Sequence, residues 1–325
     1  MNCYTNLTSS LKDQTFKYYL SIPSSIIFGL VIVGESAVTL YINKRSAILN
    51  DRASTLFSNN LSLTNLFLGL YTFAYPLPRL ICFNLLGHDR TLWWHCLLSA
   101  VVLHVLHLVD LFCLVCMALD RYLFLTKPLR YHNLITSTRC RFLAAATWTT
   151  ALLVLLPFAV YSSVYVDRPP LVRCNTGTGA GVPFLAAYTV ASTVAVFLVV
   201  LLYVLTAADM WCSKRNMVFP DDTLLGPGQA TRKTAKEASK VLLFFIFLSV
   251  PELLLQWLAL CLRLRLKKWL YLLLRITQGL HVVLYLPIYG WCTSSFRETL
   301  LAEAAKARMY FEEQERNLRQ LVRLS

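Results

Sequence analysis

Residues 97–119 read LLSAVVLHVLHLVDLFCLVCMAL, an apolar run broken chiefly by His104, His107 and Asp110. A bilayer core takes about 20 apolar residues per helix, so this run is long enough to cross one. Blocks of similar length recur on both sides of it, at Ile22–Ile42, Leu56–Pro78, Cys140–Tyr161, Val182–Tyr203, Val241–Leu262 and Trp269–Cys292. The last is the most interrupted, by Arg275, Gln278 and His281. In lipid every backbone amide must find its partner within the protein, which leaves helices as the spanning structure. The sequence therefore predicts an all-α membrane protein, a seven-transmembrane helix bundle. Pro76, Pro78, Pro157, Pro251 and Pro287 fall within or at the ends of spans, where kinks are expected.

Composition points the same way. Hydrophobic residues make up 57% of the 325-residue chain and charged residues 15%, whereas a soluble domain carries about 25% charged residues. No repeat or low-complexity tract divides the chain. The predicted organisation is an extracellular segment at 1–21, a membrane domain at 22–292 and a cytoplasmic tail at 293–325. Lys12, Asp13 and Lys17 make the first twenty residues too polar for a cleavable signal peptide, so the first span is expected to act as the targeting signal. From Phe296 onward the tail reads as a short amphipathic helix on the membrane surface, with Leu300, Leu301, Ala304 and Ala305 among mixed charges.

Orientation follows from Lys and Arg in the loops. With the N-terminus outside, 20 of the 31 basic residues fall on the cytoplasmic side. Arg263, Arg265, Lys267 and Lys268 are the main exception, crowding the last outer loop. The net charge of +14 thus sits largely on a rim facing lipid headgroups and protein partners. Basic residues dispersed among seven spans do not make a nucleic-acid surface. Asn6-Leu7-Thr8 is a glycosylation sequon on the predicted outer segment. Asn60-Leu61-Ser62 is another, but the inner start of span two should keep it unmodified.

Span three ends in Asp120-Arg121-Tyr122, with Lys127-Pro128-Leu129-Arg130-Tyr131-His132 close behind. The tripeptide at the cytoplasmic end of a third span, followed by that run, closely resembles rhodopsin-like (class A) G-protein-coupled receptors. The Lys-Pro-Leu-Arg-Tyr wording is similar to odorant receptors, with a further resemblance to those of fish. Other landmarks fit. Asn60 to Leu66 is similar to the span-two signature, Trp148 lies mid-span in helix four and Pro251 in span six. Pro287-Ile288-Tyr289 followed by Phe296-Arg297 resembles the end of span seven running into the tail helix. Cys96 lies where the family places its disulfide cysteine, and the resemblance implies Cys174 of the second outer loop as its partner. A second bridge among Cys3, Cys82 and Cys261 stays open.

The resemblance implies a plasma-membrane receptor that binds a small ligand from outside and activates a heterotrimeric G protein, with no cofactor and no catalytic residue. Asp120 would hold Arg121 at rest, and Arg121 would turn to the G protein when span six swings out, with Tyr122 completing the switch. The chain also departs from the family. Glu35 replaces the span-one Asn, Asn65 the span-two Asp, and Leu286 the Asn before Pro287. Ser249 stands at the aromatic toggle of span six, and span five lacks its mid-helix Pro. The restraining acid of span six would fall near Thr231, which cannot form that ion pair, so elevated basal activity is expected.

At about 100° per residue, Leu103, Asp110 and Leu114 share the inward face of span three with Arg121. A carboxylate in mid-bilayer is costly and reads as functional. Asn65 and Asp110 look like an exchange of the family's sodium carboxylate from span two to span three. Sodium at Asp110 would suit the oxygen donors; a protonated Asp110 bonded to Asn65 without an ion is the alternative. Leu103, His104, His107, Glu252, Gln256 and Gln278 are the candidate ligand pocket, and an internal network tying helices together is the rival reading. Leu103 stands where aminergic receptors carry their amine-binding Asp, and Leu280 where an opsin carries its retinal Lys, which argues against both assignments. The competing functions are a seven-span metal hydrolase with His104, His107 and His281 as zinc ligands and Glu252 as base, a transporter, and a non-signalling decoy receptor.

Overall fold

The computed structural model describes residues 26–45, 53–74, 91–165, 171–172, 176–216, 227–261, 279–280, 283–284 and 294–324. In chain order these form α1 (Ile26–Arg45), α2 (Ala53–Ala74), β1 (Thr91–Leu92), α3 (Trp93–Thr126), α4 (Pro128–Leu134), α5 (Ser137–Tyr165), β2 (Leu171–Val172), α6 (Thr176–Asn216), α7 (Pro227–Cys261) and α8 (Ser294–Leu324). Six of the seven sequence-derived spans thus coincide with helices. The seventh lies almost wholly outside the described residues, Gly279–Leu280 and Val283–Leu284 excepted.

Among the described residues, four helical segments are long and apolar enough to cross a bilayer: Ile26–Arg45, Trp93–Thr126, Ser137–Tyr165 and Gly181–Asp209. Helix α2 is more polar because it turns hydroxyls and amides inward: Ser58, Ser62, Thr64 and Asn65 are all buried. Large apolar side chains point outward instead, with Phe142 and Leu153 each 74% exposed and Phe247 72% exposed. Water would select against such a surface, whereas lipid tails accept it. The short hydroxyls are largely satisfied within their own helices, as where Ser36 donates to Ile32 O at 2.7 Å and Thr64 to Asn60 O at 2.9 Å.

Helix α3 is the central post. Its face from Leu103 to Leu111 is buried without a break, and it packs on α2, α5, α6 and α7. Leu108, Val109 and Cys113 are fully enclosed, in one cluster with Leu155 of α5 and Phe184 and Tyr188 of α6. Helices α1 and α2 meet closely at Gly69, where a Cβ would stand 2.7 Å from a Val33 methyl carbon. Any larger residue there would force the helices apart.

Pro157 and Pro251 lie inside α5 and α7, as the sequence placed them. Several expectations change. A break that was not expected comes in α6 at Gly181, whose φ of 79° and ψ of 163° are open only to a residue lacking Cβ; Pro183 follows in the first turn beyond it, where a missing amide costs nothing. The tail helix is not short. It covers 31 residues, roughly 46 Å at 1.5 Å per residue. Phe296 anchors it by burying against Ile42, with Leu300 packed alongside. Two small elements were not foreseen: α4 in the second inner loop, begun by Pro128, and the antiparallel pairing of Thr91 with Val172 and Leu92 with Leu171.

Candidate functional site

At the cytoplasmic end of α3, Asp120 is 1% exposed. Its Oδ2 lies 3.9 Å from Arg121 Nε, and its Oδ1 accepts a 2.7 Å hydrogen bond from the Tyr131 hydroxyl. Pro128 starts α4, and the helix swings Tyr131 back under α3, where its ring meets Phe124 edge-on at 5.1 Å. Burial first, and then the neighbouring Asp120 carboxylate, hold the Tyr131 phenol above its ordinary range. Tyr131 therefore remains a donor at any physiological pH. Sequence reasoning quoted Tyr131 only as part of a motif; its role needed the turn of α4. Tyr122 is half-buried. The side chain of Thr231 lies outside the described residues.

Two helical turns toward the outside, α2, α3 and α5 are tied together. Asn60 Nδ2 donates to Cys113 Sγ at 3.0 Å and to Thr147 Oγ1 at 3.2 Å, while Asn60 Oδ1 accepts from Trp148 Nε1 at 2.9 Å. A sequon on paper, Asn60 is a three-helix bracket in the fold.

In mid-bundle, Asp110 is 1% exposed and Asn65 5%. Asp110 Oδ1 and Asn65 Oδ1 are buried without a hydrogen-bond partner, on two helices that pack against one another. Among the described residues no cluster of three or more His, Cys, Asp or Glu side chains could hold a metal ion.

Above this level lies the candidate pocket. Leu103, His104, His107, Glu252 and Gln256 are all buried. Glu252 Oε1 accepts from Gln256 Nε2 at 2.8 Å and from the Tyr188 hydroxyl at 3.4 Å, across from α7 to α6. The His104 ring stands edge-on to Phe184 at 5.5 Å and to Tyr188 at 4.5 Å. Its Nδ1 is 2.6 Å from its own helix's Ala100 O, so part of its polarity is spent internally. Tyr188 thus links three of the six pocket residues read from sequence, His104, Glu252 and Gln256, whereas Leu103 packs with Ile32 of α1 and Leu68 of α2. The structure adds Phe184 and Tyr188, which the apolar run of span five concealed. Gln278, His281, Cys174 and Asn6 lie outside the described residues. Cys96 is disulfide-bonded, its partner falling outside that set, and Cys261 is a free thiol, as are Cys113, Cys116 and Cys140.

The family described as 7 transmembrane receptor (rhodopsin family) matches residues 36–295 of this chain. Individual relatives are distant. G-protein coupled receptor 52 of Bos taurus is 25% identical over 132 residues, covering 41% of this chain and 36% of the relative. Olfactory receptor 10G7 of Homo sapiens is 27% identical over 161 residues, 46% of this chain and 50% of the relative. Olfactory receptor 10G4 of Homo sapiens is 26% identical over 237 residues, 68% of this chain and 71% of the relative. Most such matches span about a third to a half of the relative's length.

Proposed function

Because the chain belongs to the rhodopsin family of seven-transmembrane receptors, signalling proteins rather than enzymes, we propose that it takes a small ligand from the extracellular side and activates a heterotrimeric G protein. The observation that carries this reading is the Asp120 site. A carboxylate at 1% exposure is costly unless it holds something, and here it faces Arg121 on one side and Tyr131 on the other. A ligand-driven shift of α7 would open room beside Arg121, and the guanidinium could leave its weak 3.9 Å pairing for a partner protein. The pocket of His104, His107, Tyr188, Glu252 and Gln256 supplies the ligand end of that path.

The same reading places the protein in the plasma membrane as a multi-pass chain, N-terminus outside, with 1–21 extracellular and 293–325 cytoplasmic. Asn6 would carry the glycan and Cys96 would pair with Cys174. Similarity to olfactory receptors supports a chemosensory ligand. A second reading concerns Asn65 and Asp110: their two orphaned oxygens favour a polar centre that a sodium ion could complete.

The test compares agonist-independent G-protein activation in cells expressing the wild type and Arg121→Ala at matched surface levels. Basal activation lost in the variant is the expected result. Activity that survives Arg121→Ala would place coupling elsewhere, and silence of the wild type, with and without a broad odorant panel, would favour the decoy reading.

A further inference from the structure

The tail helix α8 outruns the bundle it docks on. Its start is held by α1, where Phe296 buries against Ile42 and the Tyr41 hydroxyl donates to Glu303. From Ala304 to Arg316, by contrast, every residue is exposed, Phe311 by 70%. A helix in a protein draws most of its stability from packing one face, yet this stretch has all its faces exposed and the helix still continues to Leu324.

One stripe of it continues the docked face. Leu300, Ala304, Ala307, Phe311 and Gln314 recur at alternating steps of four and three, and the sequence carries that spacing on through Leu318 and Leu321. Only Gln314 breaks the apolar run, and such a repeat sustained over three heptads is the seam of a two-stranded coil. A lipid surface fits it less well. Helices that lie on membranes carry Lys and Arg on their polar face, whereas Glu312, Glu313 and Glu315 crowd next to Phe311. An anionic inner leaflet repels them.

The stripe is complementary to itself when reversed. Two copies inserted in the membrane in the same sense pair about a two-fold axis along its normal, and helices lying across that axis run antiparallel. Reversal about the midpoint between Glu312 and Glu313 sets Ala304 opposite Leu321, Ala307 opposite Leu318 and Phe311 opposite Gln314. Each layer thus matches a larger residue with a smaller one. The same reversal brings Arg308 alongside Glu315 of the second copy, twice by symmetry. We propose that the distal part of α8 is a homotypic interface, pairing antiparallel with the same helix of a second copy of this chain. The two Leu300 positions then stand about 37 Å apart along the pair, so the membrane domains need not touch.

The test mixes donor- and acceptor-labelled copies of the full-length chain in lipid vesicles and reads energy transfer against protein density. The wild type should show transfer that titrates as a dimer. Arg308→Glu turns both attractions into repulsions and should weaken the dimer by roughly tenfold in apparent Kd. Adding Glu315→Arg in the same chain should restore it. The ion pair of Arg308 with Glu312 within the helix is lost in both variants, so that loss cannot explain a recovery. Phe311→Asn should abolish transfer, and since Phe311 is exposed in the single copy, the bundle should fold unchanged. Nitroxides at Ala302 and Met309, both exposed, report direction: the antiparallel pair gives a shorter distance between copies at Met309 than at Ala302. Equal distances at the two sites, transfer no greater than random proximity gives, or transfer indifferent to Arg308→Glu and Phe311→Asn would overturn the proposal. So would quenching of a fluorophore at Phe311→Cys by lipid-borne nitroxide, which would assign the stripe to the bilayer. The readout needs neither ligand nor G protein.

Discussion

The cytoplasmic end of α3 and its middle are built by opposite rules. At the end, Asp120 Oδ1 accepts from Tyr131 at 2.7 Å, while Oδ2 has no hydrogen bond and is held by the ion pair to Arg121 at 3.9 Å. In the middle, Asp110 keeps an oxygen with no partner while equally buried. A buried polar atom without a hydrogen bond costs about 1–3 kcal/mol; at the end the Arg121 charge offsets that cost, and among the described residues no cation does so for Asp110. The end keeps the family's motif, and the middle is where the chain departs from it, at Asn65, Ser249 and Asp110. Two of those departures, Asn65 and Asp110, each leave a buried oxygen without a hydrogen bond, as expected where function rather than stability sets the residues.

The sharpest way to break this contrast is to put the family's span-two acid back. Asn65→Asp alone places a second carboxyl beside Asp110 in the bundle interior. Two buried acids competing for one cavity should cost roughly 2–4 kcal/mol, seen as a drop in Tm of the purified protein. Asp110→Asn in the same chain should recover most of that loss, because the pair is then exchanged rather than doubled. A double variant no more stable than the single one would show that the position of the carboxyl matters, and the exchange reading would fall. Added sodium should stabilise the wild type and the double variant alike; equal insensitivity of both would leave a purely hydrogen-bonded centre.

The bracket between the two regions offers the next largest effect. Asn60→Leu removes the acceptor for Trp148 and the donor to Cys113 and Thr147. The stranded indole N–H dominates the cost, about 1–3 kcal/mol. Thermal unfolding would read it directly, and a shift within error would mean that Trp148 finds another acceptor.

At the cytoplasmic end, Tyr131→Phe deletes one hydrogen bond to a charged group, worth about 1.5–3 kcal/mol before partial exposure of the ring's surroundings discounts it. The amides of α4 should then exchange with solvent about tenfold faster, the equivalent of ~1.4 kcal/mol. The amides of α3 near Leu108, deep in the bundle, should not change. Uniform acceleration of both would mean that Tyr131 supports the whole bundle rather than the α4 loop.

How much of this was open to sequence reading varied with the kind of signal. The spans were legible because lipid demands long apolar runs, and six of seven helices fall where those runs lie. The polar pocket was legible on α3 and α7, where His104, His107, Glu252 and Gln256 stand out against apolar neighbours. On α6 it was not: Phe184 and Tyr188 look like ordinary lipid-facing aromatics in a run such as residues 182–203, and only the packing turns them inward. The contacts of Asn60 were hidden for a related reason. A sequon is a local pattern, whereas its three contacts come from helices 53 and 87–88 residues away. The length of α8 escaped because mixed charge reads as a solvated end, and a helix needs no continuous apolar face to persist when pairs such as Arg308–Glu312 at 2.8 Å support it.

The smallest effect is expected where the tail helix docks. Glu303 accepts from Lys306 at 2.8 Å and from the Tyr41 hydroxyl at 3.3 Å, and lies 3.9 Å from Arg45. The hydrogen bond from Lys306 is the main reason its carboxyl sits below the ordinary value of 4.5. Since the docked state holds the carboxylate in its charged form, this contribution is fully present above pH 4.5. It fades as pH falls through the depressed value, where protonation removes the acceptor from Tyr41 and the charge from Arg45. Nitroxide labels at Lys44 and Arg308, both exposed, would report the docking as a distance distribution that broadens on acidification. Glu303→Gln should give a slightly broadened distribution at neutral pH and no further change in acid. A wild-type distribution that stays narrow below pH 4 would mean that Phe296, buried against Ile42, anchors α8 unaided, and that the ion pairs contribute no more than exposed pairs commonly do.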